Sequence, residues 1–432
     1  MEERDFDAIV VGSGCAGPIA ALELARAGKS VLVVERGDSA GSKNMTGGRI
    51  YTHSLRKVFD EETLATAPLE RRVVHEKIMM MTSDSEFAID FGSDEMRTEN
   101  DSWTVLRGPF DQWLADQAEE AGAEYVCGIP VEELIKDESG AVIGIRAGED
   151  EITANVVILC DGVNSLLTEQ AVGYKRPSPK SIAVGIKQTF ALPEKVISDR
   201  CLVTSDDEGV AMLMVGDATK GAFGGGFMYT NKDTISLGIV GGIDAVSKSD
   251  YPIYQMMEEL KAHPTIAAYI KDGELVEHSG HMVSEGGYNI MPNLVGNGVL
   301  VAGDAAMMCI NFGYMVRGMD YAIAAGQMAG QAAVKALDAE DTSAAGLACY
   351  KSMLENSFVM KDFRSYASEP EFLEGFDRMF KEYPEMIRNI MNNMFIIDGS
   401  PNMHIKQAVM PEVKKIGFRK LFKDMRGAMK AL

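Results

Sequence analysis

Along the chain, apolar positions first form a short continuous run, Ala8 to Val11, that breaks into glycines. The pattern then takes helical spacing through Arg26, turns at Gly28 and returns as a second run, Val31 to Val34, ending at Glu35. Two short apolar runs flanking a helix of this length predict a βαβ unit with parallel strands. Further on, "SWTVLRGPFDQWLADQAEEAGAEYVCGIP" predicts a strand into Arg107, a helix from about Pro109 to Ala121, and another strand. "GAVIGIRAGEDEITANVVILCDG" alternates like a hairpin and ends in a buried strand, Val156 to Cys160. From 176 to 245, runs such as "DTISLGIVGGI" predict a mostly antiparallel sheet, closed by a helix over roughly Tyr251 to Ile270. "GNGVLVAGDAA" then resumes the character of the first unit. It leads to a long helix of small residues, "GMDYAIAAGQMAGQAAVKAL", and a helical, Met-rich stretch from Thr342. The expected division is 1–175, an inserted sheet at 176–285, a return at 286–340 and a helical region at 341–432.

The break after the first run carries chemistry. Gly12, Gly14 and Gly17 form GxGxxG directly after a strand and at the opening of a helix, with Ser13, Cys15 and Ala16 between them and Pro18 in the first turn. The first glycine permits the tight turn, the second lets a pyrophosphate reach the backbone, and the third lets helix and strand pack closely. Helix N–H groups and dipole would hold the phosphate. Glu35, eighteen residues beyond Gly17 and followed by Arg36, is placed to accept ribose hydroxyls and repels a 2′-phosphate, which disfavours NADP. No second such motif follows a later strand, so one dinucleotide, NAD or FAD, is expected.

Charge and cysteines remove other classes. Lys and Arg total 42 against 64 Asp and Glu, a formal charge of -22, which argues against a broad nucleic-acid face. Six scattered cysteines include no CxxC pair, so neither a zinc ribbon nor an iron–sulfur cluster has its usual spacing; reduced, mostly buried thiols in the cytosol are expected. No secretory signal and no bilayer-spanning apolar stretch is seen, so any membrane contact is expected to be peripheral. The 28 methionines are expected to be ordinary core filling. His53 is expected to be packed or capped, and His278 and His281 lack partners at metal spacing, so no metal site and no catalytic side chain is assigned.

"VVGSGCAG", "VVILCDGVNS" and "VLVAGDAA" occur in the order found in glutathione-reductase-type flavoproteins. "GSKNMTGGRIYTHSL", "VLRGPFDQWLADQAEEAGA" and "NFGYMVRGMDYAIAAG" make the chain resemble, over nearly its whole length, the electron-transfer-flavoprotein:quinone oxidoreductase (ETF-QO)/FixC family. The resemblance implies an α/β fold: an FAD-binding Rossmann domain of glutathione-reductase type with an inserted, mostly antiparallel β-sheet domain and a helical C-terminal region. It implies FAD as the cofactor, Asp304 on its ribityl chain with Gly303 giving close approach, and N–H groups of Asn311 to Gly313 near the pyrimidine ring, where they would raise the flavin's potential. Asp304 also suits a helix N-cap. Arg107 matches the arginine near the FAD phosphates; Asp161 and Gly162 match an Asp-Gly motif that either shapes a turn or meets the cofactor; Val131 offers backbone to the adenine. Gly47 and Gly48 would allow approach to the isoalloxazine edge, with Arg49 meeting phosphate or an anionic flavin.

The implied reaction is electron relay from a two-subunit electron-transfer flavoprotein (FixA/FixB-like) through FAD to a quinone or similar acceptor. A small ferredoxin-like protein (FixX-like) would supply the iron–sulfur cluster, since only Cys349 follows Cys309 here. The tail "PEVKKIGFRKLFKDMRGAMKAL" carries seven Lys or Arg against two acids, with Phe418, Leu421, Phe422, Met425, Met429 and Leu432 at helical spacing. A basic amphipathic helix is expected there, resting on an anionic membrane, on a partner subunit or on its own domain. A prenyl double-bond reductase of geranylgeranyl-reductase type, an FAD monooxygenase and a non-catalytic FAD-binding subunit are the rival readings.

Overall fold

The computed structural model describes residues 3–43, 48–174 and 177–431. β1 (Phe6–Val11), α1 (Gly17–Arg26) and β2 (Val31–Glu35) form the expected βαβ unit, with β1 and β2 parallel in the register Ala8 to Val31 through Val11 to Val34. On the other side of β1 lies Asp150–Leu159, and beyond it Val299–Val301, both parallel to their neighbours; Glu124–Cys127 extends the sheet past β2. The central strands carry apolar side chains on both faces, which is why their sequences are continuous apolar runs. Because the strands run parallel, their carboxyl ends gather at one edge, and the segments that follow Val11, Glu35, Leu159 and Val301 converge there.

Two helices cover α1. In Met319–Asp338, a Cβ on Gly326 would overlap the Ala16 carbonyl oxygen and one on Gly330 would lie 2.7 Å from that of Ala20, so small residues set how closely the helices approach. The helix expected from Pro109 begins at Arg107 and runs to Glu120, with Pro109 tolerated in its first turn. The helix expected over Tyr251–Ile270 is two, Ile253–Ala262 and Pro264–Ile270. Proline pushes the preceding His263 out of helical backbone, and the break follows.

A second, nine-stranded sheet stands over that edge. Its order is Glu274–Ser284, Ile182–Ala191, Thr234–Gly242, Gly224–Thr230, Glu208–Gly216, Leu69–Met81, Ser102–Val105 and Arg49–Tyr51, with Glu86–Gly92 paired to Leu69–Met81. All pairs are antiparallel except Glu208–Gly216 with Leu69–Met81. The stretch from 176 to 285 therefore supplies five strands, and four come from residues 49 to 105. Met79, Met81, Met212, Met214, Met228, Met256 and Met257 fill this sheet's core, where their unbranched side chains fit an irregular interior. The chain closes with helices that include Glu382–Phe395, Ile405–Ile416 and Phe418–Ala431. All six cysteines are free, with Cys127 exposed and Cys349 half-buried, and among the described residues no helix is long and apolar enough to cross a membrane.

Candidate functional site

Between the carboxyl edge of the parallel sheet and the second sheet lies a cavity of about 650 Å³, within the range of small-molecule and cofactor sites. Gly12, Ser13, Gly14, Cys15 and Ala16 line one end of it. Gly12 has φ of +98°, and a Cβ there would overlap the Cys160 carbonyl oxygen; a Cβ on Gly17 would overlap the Gly12 carbonyl oxygen. Glycine is thus required at both positions for the turn to close between two strands.

Glu35 is almost fully buried and accepts hydrogen bonds from the backbone N–H of Ser13 at 2.8 Å and of Gly37 at 2.6 Å. It clamps the glycine turn, while each oxygen keeps a second lone pair for a ligand hydroxyl. Arg36, Val131 and Glu132 line the same end, Val131 opening the strand Val131–Lys136. The Ser13 hydroxyl is buried with no protein partner among the described residues.

Arg107 is the first residue of its helix, and its guanidinium binds the fully buried carboxylate of Asp111 through two hydrogen bonds of 2.8 Å. Asp111 also accepts from the Cys15 thiol at 3.7 Å, and burial pushes that thiol's pKa up. Across the cavity, burial raises the Asp304 carboxyl while Arg107 and His281 act to lower it. Gly303 has φ of +64° and packs against Ala16. Asp304 is no helix N-cap: it lies inside a single 3-10 turn, Gly303–Ala306, and the long helix begins only at Met319.

Asp161 and Gly162, the latter with φ of +80°, follow the strand Asp150–Leu159 into the cavity wall. Asp161 Oδ1 has no hydrogen-bond partner among the described residues, and burial raises this carboxyl to about 6. Asn311 and Gly313 line the opposite end. The N–H of Gly313 donates to Asn311 Oδ1 at 3.0 Å and that of Phe312 to the Met315 carbonyl, so both are engaged within their own loop rather than presented to a ligand.

Arg49, expected to meet phosphate or flavin, lines the cavity with its charge already paired. Glu76 binds its guanidinium twice, Ser102 Oγ accepts from Nε at 2.8 Å, and the group stacks over Tyr51. Gly48 sits against the Tyr229 ring; Gly47 lies outside the described residues. His53 bonds Asp320 at 3.1 Å and packs edge-on to Phe358, and His278 bonds Gln188. Among the described residues no group of three metal-ligating side chains forms.

The far wall comes from the second sheet and the C-terminal helices: Met214, the glycine strand Gly224–Gly226, Phe227, Phe376 and Phe380. Glu285 lines it too, with Glu369 buried nearby. The only sequence signal for this wall was "GAFGGGF", since glycines inside a strand mark close backbone approach.

Residues 5–236 match the FAD binding domain, and residues 369–432 match the ETF-QO/FixC family C-terminal domain. Over 430 residues the chain is 46% identical to the probable electron transfer flavoprotein-quinone oxidoreductase YdiS of Escherichia coli (strain K12), with 99% of each chain covered. Over 429 residues it is 46% identical to protein FixC of the same strain, again covering 99% of each. A geranylgeranyl bacteriochlorophyll reductase-like protein from Thermoplasma acidophilum superposes with a TM-score of 0.69 at 17% identity, covering 98% of this chain and 99% of that one, a likeness of fold alone. The match to the FAD binding domain identifies FAD as the cofactor. Full-length identity of this order places the function as well as the fold: the chain belongs to the ETF-QO/FixC family of FAD-dependent oxidoreductases.

Proposed function

We propose that the chain relays electrons from a two-subunit electron-transfer flavoprotein (FixA/FixB-like) to a quinone through FAD held in the 650 Å³ cavity, alongside a small ferredoxin-like partner (FixX-like). The observation that carries this reading is a single continuous cavity with a phosphate-type glycine turn at one end and an apolar wall at the other. In this reading the fold is the glutathione-reductase type, with 1–175 and 286–340 forming the FAD domain, 176–285 the inserted sheet and 341–432 the helical region. The strands from 49 to 105 then join the inserted sheet.

The residues fit FAD. Gly12 to Gly17 and the start of α1 hold the pyrophosphate, with the unpartnered Ser13 hydroxyl as a further donor. Glu35 takes the adenosine ribose, Arg36 and the Val131 backbone flank the adenine, and Asp304 takes the ribityl hydroxyls. Arg107 keeps positive charge near the phosphates, and Asp161, Gly162, Gly303, Asn311, Gly313, Gly48 and Arg49 shape the remaining wall. Gly47 belongs to the same assignment. FAD supplies the electron chemistry; the chain positions it, excludes water and presents Met214, Phe227, Phe376 and Phe380 to the apolar acceptor.

The test uses the purified protein with its bound FAD, photoreduced without oxygen. Mixing with a water-soluble naphthoquinone is expected to reoxidise it at least about tenfold faster than mixing with air-saturated buffer, a barrier difference of about 1.4 kcal/mol. Rapid reduction of the oxidised protein by NADH alone, coupled to oxygen uptake, would replace this reading with a monooxygenase.

Peripheral attachment to the cytoplasmic face of a membrane belongs to the same proposal. The helix Phe418–Ala431 docks on its own chain through the side that carries Leu421, Asp424, Gly427 and Ala431: Asp424 is buried and accepts from Arg378 and from the Tyr383 hydroxyl, each at 2.6 Å, and Gly427 lies against the Phe372 ring. Its apolar row, Phe418, Phe422, Met425 and Met429, is left facing out beside the exposed Lys420, Lys423, Arg426 and Lys430. An outward apolar row with a basic border suits an anionic lipid surface. With Phe422 and Met425 both changed to Ser, co-sedimentation with vesicles of phosphatidylglycerol and phosphatidylcholine is expected to fall at least about tenfold, from the lost apolar burial. Undiminished sedimentation would remove the membrane role.

A further inference from the structure

Glu369 is 1% exposed, and neither of its carboxyl oxygens has a hydrogen-bond partner among the described residues. An orphaned buried acid costs stability, so its presence asks for a function. It opens the short helix Glu369–Glu374, and the next residue, Pro370, packs against Gly287: a Cβ there would lie 2.9 Å from Pro370 Cγ. Two residues before Gly287, Glu285 lines the cavity; its N–H donates to the Ser181 carbonyl at 3.0 Å and its carboxyl is bonded by Asn311. Gly286 lies on the Cys309 backbone. Glu285 thus lines the cavity, and Glu369 lies outside that lining but near enough to feel the charge of Glu285.

Quinol formation takes two electrons and two protons. The cofactor in its two-electron-reduced form carries the electrons and one proton, so one proton must come from elsewhere. We propose that Glu285 donates that proton to a quinone oxygen at the cavity wall and that Glu369 reloads it. In this step the Glu285 O–H bond breaks as the quinol O–H bond forms; the Glu285 carboxylate takes the Glu369 proton, and Glu369 regains one from solvent. The inference rests on the quinone reading above.

The surroundings favour a stored proton. Burial raises Glu285 to about 7, with only Asn311 pulling it down, and burial followed by the nearness of Glu285 raises Glu369 to about 8. Neighbouring buried carboxyls do not both ionise readily. The titratable group that both acids act on is Cys309, kept protonated by burial; Asp304 and Asp320 act on the same thiol, and Asp320 is paired with Arg317. The protonated form prevails at low pH, so donation is fast there and falls as pH rises through the range from about 7 to about 8.

The test compares two acceptors of the photoreduced protein without oxygen: a water-soluble naphthoquinone, which needs protons, and ferricenium, which needs only electrons. Glu285→Gln is expected to slow naphthoquinone reduction about 100-fold, the usual range for a lost general acid, while ferricenium reduction stays within about twofold. Glu369→Gln is expected to slow naphthoquinone about tenfold and to leave a fall in rate with pH set by Glu285 alone, at about 7. Naphthoquinone rates that match the native protein's, or equal slowing toward both acceptors, would overturn the relay while leaving the quinone reading intact. A native protein that reduces ferricenium but not naphthoquinone would overturn the quinone reading, and the relay with it. Should Glu285→Gln fail to fold, Glu369→Gln and the native pH profile decide: a native naphthoquinone rate that is flat from about pH 6 to about pH 9 sinks the relay.

Discussion

Gly12→Val is expected to purify colourless and to stay so when FAD is added, with affinity lowered at least about 100-fold, or about 2.7 kcal/mol. At this position the backbone is left-handed, φ of +98°, which alone costs a branched residue about 1–2 kcal/mol. The larger effect is spatial. A Cβ would enter the Cys160 carbonyl oxygen at the end of Asp150–Leu159, so β1 and its neighbour must part where the pyrophosphate is to be held. Gly28→Val is the control, because that residue has φ of +73° but no atom within 4 Å of a Cβ; it pays the conformational cost and keeps FAD. Absorbance near the flavin bands and a thermal melt of each variant check both expectations. A yellow, stoichiometrically loaded Gly12→Val protein would refute the assignment of the turn.

Arg71→Met is expected to destabilise the fold by about 3–5 kcal/mol, seen as a lower denaturant midpoint at neutral pH. Arg71 has no exposed surface, yet it carries a guanidinium in the second sheet. That group donates to the carbonyls of Asn231 at 2.6 Å, Lys232 at 2.7 Å, Glu194 at 3.3 Å and Glu208 at 3.3 Å, and to the Ser198 hydroxyl at 2.9 Å. Ser198 passes the interaction on by donating to Asp206 at 2.5 Å. Removing the guanidinium strands several buried acceptors at once, and Arg71→Lys recovers little because a point ammonium cannot span the same fork. Arg71 is not in the cavity wall, so the folded fraction of either variant is expected to keep its FAD. A variant as stable as the native protein would show that these bonds are individually replaceable by water.

Residues that act through near neighbours in sequence were legible before the structure. The turn from Gly12 to Gly17, the strand pair around it and the late "LVAGD" strand follow from backbone sterics and from apolar runs, both local properties. The helix of small residues after Gly318 was legible as well, and the structure adds that its glycines lie against α1. His53, expected to be packed or capped, is bonded and packed. Of the methionines, expected to be core, seven fill that of the second sheet, while Met394, Met403, Met425 and Met429 are exposed.

Other features depended on distance across the fold. The 49–105 segment showed no clean alternation because Leu69–Met81 mixes buried Arg71, Val73 and Met79 with partly exposed charged side chains, and only pairing with Glu208–Gly216 makes it a strand of the second sheet. Arg49 was expected from the family resemblance to meet phosphate or an anionic flavin, whereas its pairing is decided by Glu76, brought opposite by the sheet. The same holds for the C-terminal helix: its apolar row was legible, but which side faces the protein was set by Asp424 meeting Arg378 and Tyr383. Glu285 and Glu369 stand eighty-four residues apart and carry no motif.

The sequence alone thus determined the cofactor class and the glycine turn at one end of the cavity, because a glycine turn, a strand end and a helix start are specified within about twenty residues by steric and hydrogen-bond rules. Tertiary structure decided which charges are paired, which acids are desolvated and which faces stay open. Those properties belong to side chains far apart in the chain, whose solvation is set only when the sheets close over one another.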